Sequence, residues 1–185
     1  SSAASDVYKR QYLSKAGRGG PVWLDVPLDI QAAIVDTDDL KHFDKSECAE
    51  EIPPKVEAAT AVEILEKIKA AKRPLILAGT GIRLGDAHKE FIEVIEKLNI
   101  PVVTAWNAHD VLWDAHPLFV GRPSTVGTRG GNFAVENADL VLTLGCRLNI
   151  RQISYNYKDW AKKAFKIVVD LSLIHISEPT RLRRI

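Results

Sequence analysis

Two hydrophobic regimes alternate along residues 57–170 of the chain. Short unbroken apolar runs are separated by stretches whose apolar residues stand three and four apart. PLILAG (Pro74 to Gly79), PVVTAW (101–106), DLVLTLG (139–145) and FKIVVD (165–170) have strand length and no in–out alternation, as parallel strands covered on both faces require. Between them, Ala61, Ile64, Leu65 and Ile68 stripe one predicted helix. A Thr60/Glu63 capping box heads it, and Glu63 and Lys67 pair at i,i+4. Ala87, Phe91, Val94, Ile95 and Leu98 stripe a second helix that Asp86 is placed to cap, and a third is predicted around Asn132 to Ala138. The stretch from Asn107 to Gly131 reads as irregular. Strand and helix recurring in steps of about 25–30 residues predict an α/β fold with a doubly wound, mostly parallel sheet flanked by helices, Rossmann-like.

Upstream the pattern is weaker. GRGGPVWLDVPLDIQ (Gly17 to Gln31) reads as a loop feeding a short strand, Val22 to Val26, stopped by Pro27. From there to about residue 58 the chain is charged and aperiodic and holds Pro53-Pro54, so it reads as a linker.

The two ends fit neither regime. One spelling of Asp6–Gln11 is GATGTGTATAAGAGACAG, and its reverse complement translates as LSLIHI, residues 171–176. Two unrelated protein segments have little reason to be inverted repeats, whereas an insert flanked by the same DNA end in both orientations produces that result. Residues 1–11 and 171–185 are therefore read as translated sequencing adapters and set aside from fold reasoning. The expected organisation is adapter over 1–11, the end of a preceding domain over 12–30, linker over 31–55, one α/β domain over 56–170, and adapter over 171–185.

Removing the ends changes the charge. The whole chain has 25 Lys/Arg and 24 Asp/Glu; the ends hold five and two of these, leaving 20 against 22. A basic surface for nucleic acid has no support. The apolar runs are too short to span a membrane. Cys48 and Cys146 stand in no metal or redox spacing, as expected for a reducing cytoplasm.

Ligands of doubly wound sheets bind beyond the carboxyl ends of the strands, where the strand order switches. The first strand ends in Gly79-Thr80-Gly81, which reads either as a phosphate-approaching loop or as a tight βα turn; the full G-x-G-x-x-G spacing is absent. The second ends in Thr104-Ala105-Trp106, where a hydroxyl either orients a ligand or satisfies loop backbone. GRPSTVGTRGGN (Gly121 to Asn132) reads either as a polar-ligand loop or as a plain surface loop. LGCRLNIRQISYN (Leu144 to Asn156) delivers Gly145, Arg147, Asn149 and Arg151 to the sheet edge. Two cations there call for an anionic ligand or for acidic partners on a neighbouring domain. Cys146 reads as a packing residue, and the scattered histidines have no ligand spacing. No nucleophile–base order, paired-carboxylate motif or Walker loop is present, so the stretch reads as a binding domain with the chemistry elsewhere.

Taken in order, these segments resemble the thiamine diphosphate-dependent enzymes of the acetolactate synthase group. GRGGPVWLDVPLDIQ is similar to the end of their pyrimidine-binding domain. KRPLILAGTGIR, IPVVTAWNAHDVL, the run from His116 to Asn156 and FKIVVD are similar to their central domain. The resemblance implies a three-domain cytoplasmic enzyme, a homodimer or homotetramer. It implies that thiamine diphosphate and Mg2+ sit in the outer domains and act on a 2-keto acid, so that no catalytic residue or metal ligand lies in this chain. For the acetolactate synthases it further implies branched-chain amino acid biosynthesis and a central domain that holds FAD without a redox step. The flavin contacts carried over are Gly79, Thr80, Gly81, Thr104, Ala105, Trp106, Gly127, Gly145, Arg147, Asn149, Arg151 and Asp170. Two positions depart from the pattern: Asn149 stands for an aspartate, and Ser124-Thr125-Val126-Gly127 stands for a G-M-H-G turn. The domain would then hold FAD, another nucleotide, or nothing and act as scaffold. A stand-alone nucleotide-binding regulatory module is the alternative function.

Overall fold

A computed structural model describes residues 3–16, 19–34, 36, 38, 42–51, 56–170 and 183–184. The chain divides into two units, 1–55 and 56–185. Pro53-Pro54 and nearly all of 171–185 lie outside the described residues.

In the first unit, α1 spans Ala3–Leu13 and α2 spans Leu28–Gln31, with a 3-10 segment, Lys45–Glu51, after them. None of residues 6–13 is buried, so α1 covers no core of its own. The strand predicted at 22–26 does not form; Trp23 there is 91% exposed. A strand needs a partner for its N–H and C=O groups, and no described segment of this unit offers one. The predicted linker is also not wholly featureless, since Cys48 is buried and Tyr12 packs its ring on Phe43 at 5.5 Å.

The second unit is built on a sheet whose order is β3-β2-β1-β4-β5-β6, with every pairing parallel. The strands are β1 (Pro74–Ala78), β2 (Val102–Thr104), β3 (Phe119–Gly121), β4 (Leu140–Leu144), β5 (Phe165–Val169) and a two-residue β6 (Arg183–Arg184). Consecutive residues such as Ile76 and Leu77, Val102 and Val103, and Ile167 and Val168 are all buried, so both sheet faces are covered. Helices α3 (Ala58–Ala70), α5 (His88–Leu98) and α6 (Arg129–Asn137) contribute Ile68, Phe91, Ile95 and Val135 to one core. Short α4 (Gly81–Leu84) and α7 (Ile150–Ile153) come after β1 and β4. Among the described residues no helix is long and apolar enough to cross a membrane.

Several local expectations are corrected. Helix α3 begins at Ala58, with Glu57 at its N-cap and no side-chain cap bond, so Thr60 lies inside the first turn and the capping box does not form. Its buried stripe is narrower than predicted: Ile64 and Ile68 pack, while Ala61 and Leu65 face solvent. The Glu63–Lys67 ion pair is present at 3.7 Å. Asp86 does not cap α5, because its left-handed φ of 53° turns the chain before the helix starts. Ala87 and Val94 are exposed, and Ile92 packs instead. Strand β3 was hidden in the stretch read as irregular. It is three residues long and its register with β2 shifts, too short a run to show a period. Helix α6 starts earlier than predicted because Thr128 caps it, its hydroxyl accepting from the Gly131 N–H at 3.3 Å.

Candidate functional site

The strand order reverses between β1 and β4, so the loops leaving these two strands define the switch point. They touch through glycine. The Gly79 N–H donates to Leu144 O at 2.9 Å and the Gly81 N–H to Gly145 O at 2.9 Å. A Cβ on Gly79 would lie 2.2 Å from Gly145 O, and one on Gly81 would lie 2.6 Å from the Cα of Gly145. Gly145 itself has φ +58°, open at low cost only to glycine. The glycines thus serve a tight backbone crossing, and the amides of Gly79 and Gly81 are already engaged. Helix α4 beyond them is a single turn, with Arg83 paired to Asp110 at 3.0 Å.

At the end of β2, Thr104 is fully buried and its Oγ1 has no partner among the described residues. The Ala105 N–H donates to Ala78 O at 2.8 Å, whereas Trp106 is half-exposed at 44%. Thr143 on β4, which sequence reasoning passed over inside an apolar run, is a second buried hydroxyl without a partner among these residues. In register it faces Leu77, one residue before the Ala78 that faces Thr104, so the two hydroxyls flank β1 on opposite sheet faces.

The loop after β3 is internally tied. Asn132 accepts from the Ser124 N–H at 3.0 Å and donates back to Ser124 O at 3.3 Å, while the Thr128 hydroxyl accepts from the Arg122 N–H at 2.9 Å. Gly127 sits where a Cβ would meet Arg122 O and Ser124 N, each at 2.4 Å. Arg122 pairs with Asp114 and lies over the Phe119 ring at 4.9 Å. The two arginines of this loop therefore have protein partners: Arg129 lies over Phe133 at 5.4 Å.

Past β4, Cys146 is buried, and burial, aided by the nearby Asp170 charge, pushes its thiol up to about 11. It is a packing residue. Arg147 and Arg151 are exposed, and neither guanidinium hydrogen-bonds or ion-pairs with another described residue. Asn149 caps α7, its side chain accepting from the Gln152 N–H at 3.1 Å. The Thr125 N–H donates to Arg151 O at 3.1 Å, which joins the loop holding Gly127 to the arginine segment. The Gly145 N–H donates to Val169 O at 2.8 Å, bringing Asp170 beside the Gly145–Cys146 turn.

The backbone thus gathers Gly79, Gly81, Ala105, Gly145 and Asp170 at the switch point, and joins Gly127 to Arg151 along the same edge. Thr104 is sealed beneath that edge. A separate cleft of about 230 Å³ opens between α6, α7 and the 156–160 turn, and none of the predicted cofactor contacts lines it. Among the described residues no group of three or more His, Cys, Asp or Glu could hold a metal ion.

Residues 61–181 match the family described as thiamine pyrophosphate enzyme, central domain. The chain is 32% identical over 177 residues to a probable acetolactate synthase large subunit of Methanococcus aeolicus, covering 90% of this chain and 28% of the relative. It is 31% identical to the acetolactate synthase isozyme 1 large subunit of Escherichia coli K12, covering 80% of this chain and 25% of that protein. It is 33% identical to the oxalyl-CoA decarboxylase of the same strain, covering 86% of this chain and 27% of that protein. The chain therefore spans between a quarter and three-tenths of the length of these relatives.

Proposed function

Because the chain belongs to the thiamine pyrophosphate enzyme family and carries its central domain over residues 61–181, we propose that it serves as the middle domain of a longer thiamine diphosphate-dependent lyase or transferase acting on 2-keto acids, in the manner of an acetolactate synthase. The observation that carries this reading is the coincidence of that match with an all-parallel sheet in the order 3-2-1-4-5-6. In this reading thiamine diphosphate, with Mg2+, supplies the electron sink for decarboxylation, and it is held by parts of the longer protein. This chain's residues carry no step of the reaction; they place and brace. Cytoplasmic residence and assembly as a homodimer or homotetramer belong to the same reading.

FAD is the candidate ligand of the domain's carboxyl edge. The fit is uneven. Arg147 and Arg151 are exposed cations on one short segment and suit a pyrophosphate, which Arg binds as a fork. The glycine turn suits it less, since the amides of Gly79 and Gly81 are held by Leu144 and Gly145. We therefore assign any dinucleotide affinity to the arginine segment and give the glycine turn a bracing role. A stand-alone nucleotide-binding module is disfavoured by the 80–90% coverage of this chain by multi-domain-length relatives.

The test is to express the longer reading frame and assay pyruvate decarboxylation. Turnover that depends on thiamine diphosphate and Mg2+, absent from the 185-residue chain alone, supports the proposal. Turnover by this chain alone, or a longer protein indifferent to thiamine diphosphate, overturns it.

A further inference from the structure

The two residues that bracket α7 hold backbone conformations that their side chains disfavour. Leu148 has a left-handed φ of 54°, an outlier for a bulky residue. Ser154 has φ 67° and ψ 171°, a region essentially reserved for glycine. A third unfavourable feature lies between them. Gln152 is only 3% exposed; its Nε2 donates to Pro123 O, and its Oε1 has no donor among the described residues. Residues 148–154 thus combine two strained backbone positions with an unmatched buried acceptor, and each raises the free energy of this arrangement.

The restraints that hold the arrangement are unevenly placed. At the first end Leu148 is buried in the core, and the Asn149 side chain accepts from the Gln152 N–H at 3.1 Å. In the middle, the Thr125 N–H donates to Arg151 O at 3.1 Å, the Gln152 amide holds Pro123 O, and the half-buried Ile153 packs on the core. At the far end Ser154 is exposed, with its N–H on Ile150 O at 2.9 Å, and Tyr155 beyond it is 84% exposed. Burial therefore fixes the Leu148 end, whereas the Ser154 end is restrained by backbone hydrogen bonds that water can replace.

We propose that residues 149–155 form a strained strap, anchored at Leu148, that exchanges between this arrangement and a released one opening from Ser154. In the released state Ser154 returns to negative φ, the Gln152 carbonyl turns to water, and Arg151 O parts from the Thr125 N–H. Each change relieves one unfavourable feature or gives up a hydrogen bond that solvent replaces, so the two states lie close in free energy. Arg147 stays with the anchored end, while Arg151 moves with the strap. The strap thus fixes the spacing of two exposed cations in one state and frees it in the other. A ligand that needs both arginines selects the strained state, and its apparent affinity scales with the population of that state. The device belongs to this chain's own backbone and holds whether or not a flavin occupies the edge.

The test is 15N relaxation dispersion on the full 185-residue chain. Exchange on the microsecond-to-millisecond timescale is expected at the amides of residues 150–155 and at Thr125. Gly145 and Cys146 should stay flat, because the Gly145 N–H is tied to Val169 O. Ser154→Gly removes the side chain that disfavours this φ and should lower the released population by about fivefold. Ser154→Val, whose branched side chain tolerates the φ still less, should raise it by about fivefold. Both substitutions are at an exposed position, so the core is untouched. Exchange confined to the strap and its Thr125 contact, and moved in opposite directions by the two variants, supports the proposal. Exchange that neither variant moves, or that spreads equally to Gly145 and Cys146, overturns it. Flat profiles in both the unaltered chain and Ser154→Val overturn it as well, since the strap then has a single state.

Discussion

Gly81 donates its N–H to the carbonyl of Gly145 at 2.9 Å, and a Cβ on Gly145 would stand 2.7 Å from the Cα of Gly81. This crossing locks the loops of β1 and β4 together at the switch point. It explains why glycine is needed at both positions without any ligand: backbone meets backbone, and neither side has a flexible atom to yield.

Gly145→Ala should therefore destabilise the fold by about 2–4 kcal/mol, combining a left-handed φ with an overpacked contact. Gly20→Ala, where a Cβ would meet nothing within 4 Å, is the matched control and should change stability by less than about 0.5 kcal/mol. Urea unfolding measures both. Equal stability of the two variants would remove the bracing role.

Thr128 holds two amides with one hydroxyl, those of Gly131 and Arg122. Thr128→Ala should cost about 1–2 kcal/mol in urea unfolding, and Thr128→Ser should recover most of it. The loss should come with faster amide exchange at Arg122 and Gly131.

Asp139 sets an acid limit on stability. Burial alone would push its carboxyl up, but the N–H groups of Arg73 at 2.8 Å and Lys72 at 2.9 Å outweigh this and hold it below the ordinary 3.8. A carboxyl lower in the folded than in the unfolded state contributes its full stability above the unfolded value. That contribution is lost as pH falls through the folded value. The unfolding free energy should thus decline as pH drops below about 5. In Asp139→Asn, that part of the profile should be flatter.

Arg147 and Asn149 separate binding from structure. If FAD occupies the arginine edge, Arg147→Ala should weaken it by roughly one to two orders of magnitude with stability unchanged. Flavin fluorescence quenching in the longer protein measures this. Asn149→Ala should instead cost about 1 kcal/mol, because Asn149 caps α7, whereas Asn149→Asp should keep the cap. Tighter FAD in Asn149→Asp would assign the departure from the family pattern a cost in flavin affinity.

Deleting residues 1–11 and 171–185 should leave the melting temperature unchanged or higher, as expected of adapter-derived ends. The family match runs to 181 and Arg183–Arg184 pair with β5, so a fall of several degrees would instead assign the tail to the domain.

The hydrophobic pattern alone determined the α/β class. Runs such as PLILA and FKIVV are apolar at nearly every position, and only a sheet covered on both faces buries them. It also located the carboxyl-edge residues, because the residues next after a strand in sequence lie at its end in space. Which strands are neighbours was settled only in the tertiary structure, since β1 pairs with β4 across more than sixty intervening residues, Pro74 opposite Leu140. The same holds for the glycine turn. Gly79-Thr80-Gly81 reads equally as a phosphate loop or a tight turn until Gly145 is seen against it. Capping was not legible at Thr60, Asp86 or Thr128, because a cap depends on where φ and ψ enter the helix: α3 begins three residues before Thr60 would cap it and α5 one residue after Asp86 would, and either shift moves the side chain off the free amides. The buried Gln152 Oε1, which has no donor among the described residues, left no sign in the sequence either, because local spacing carries no trace of distant hydrogen-bond balance.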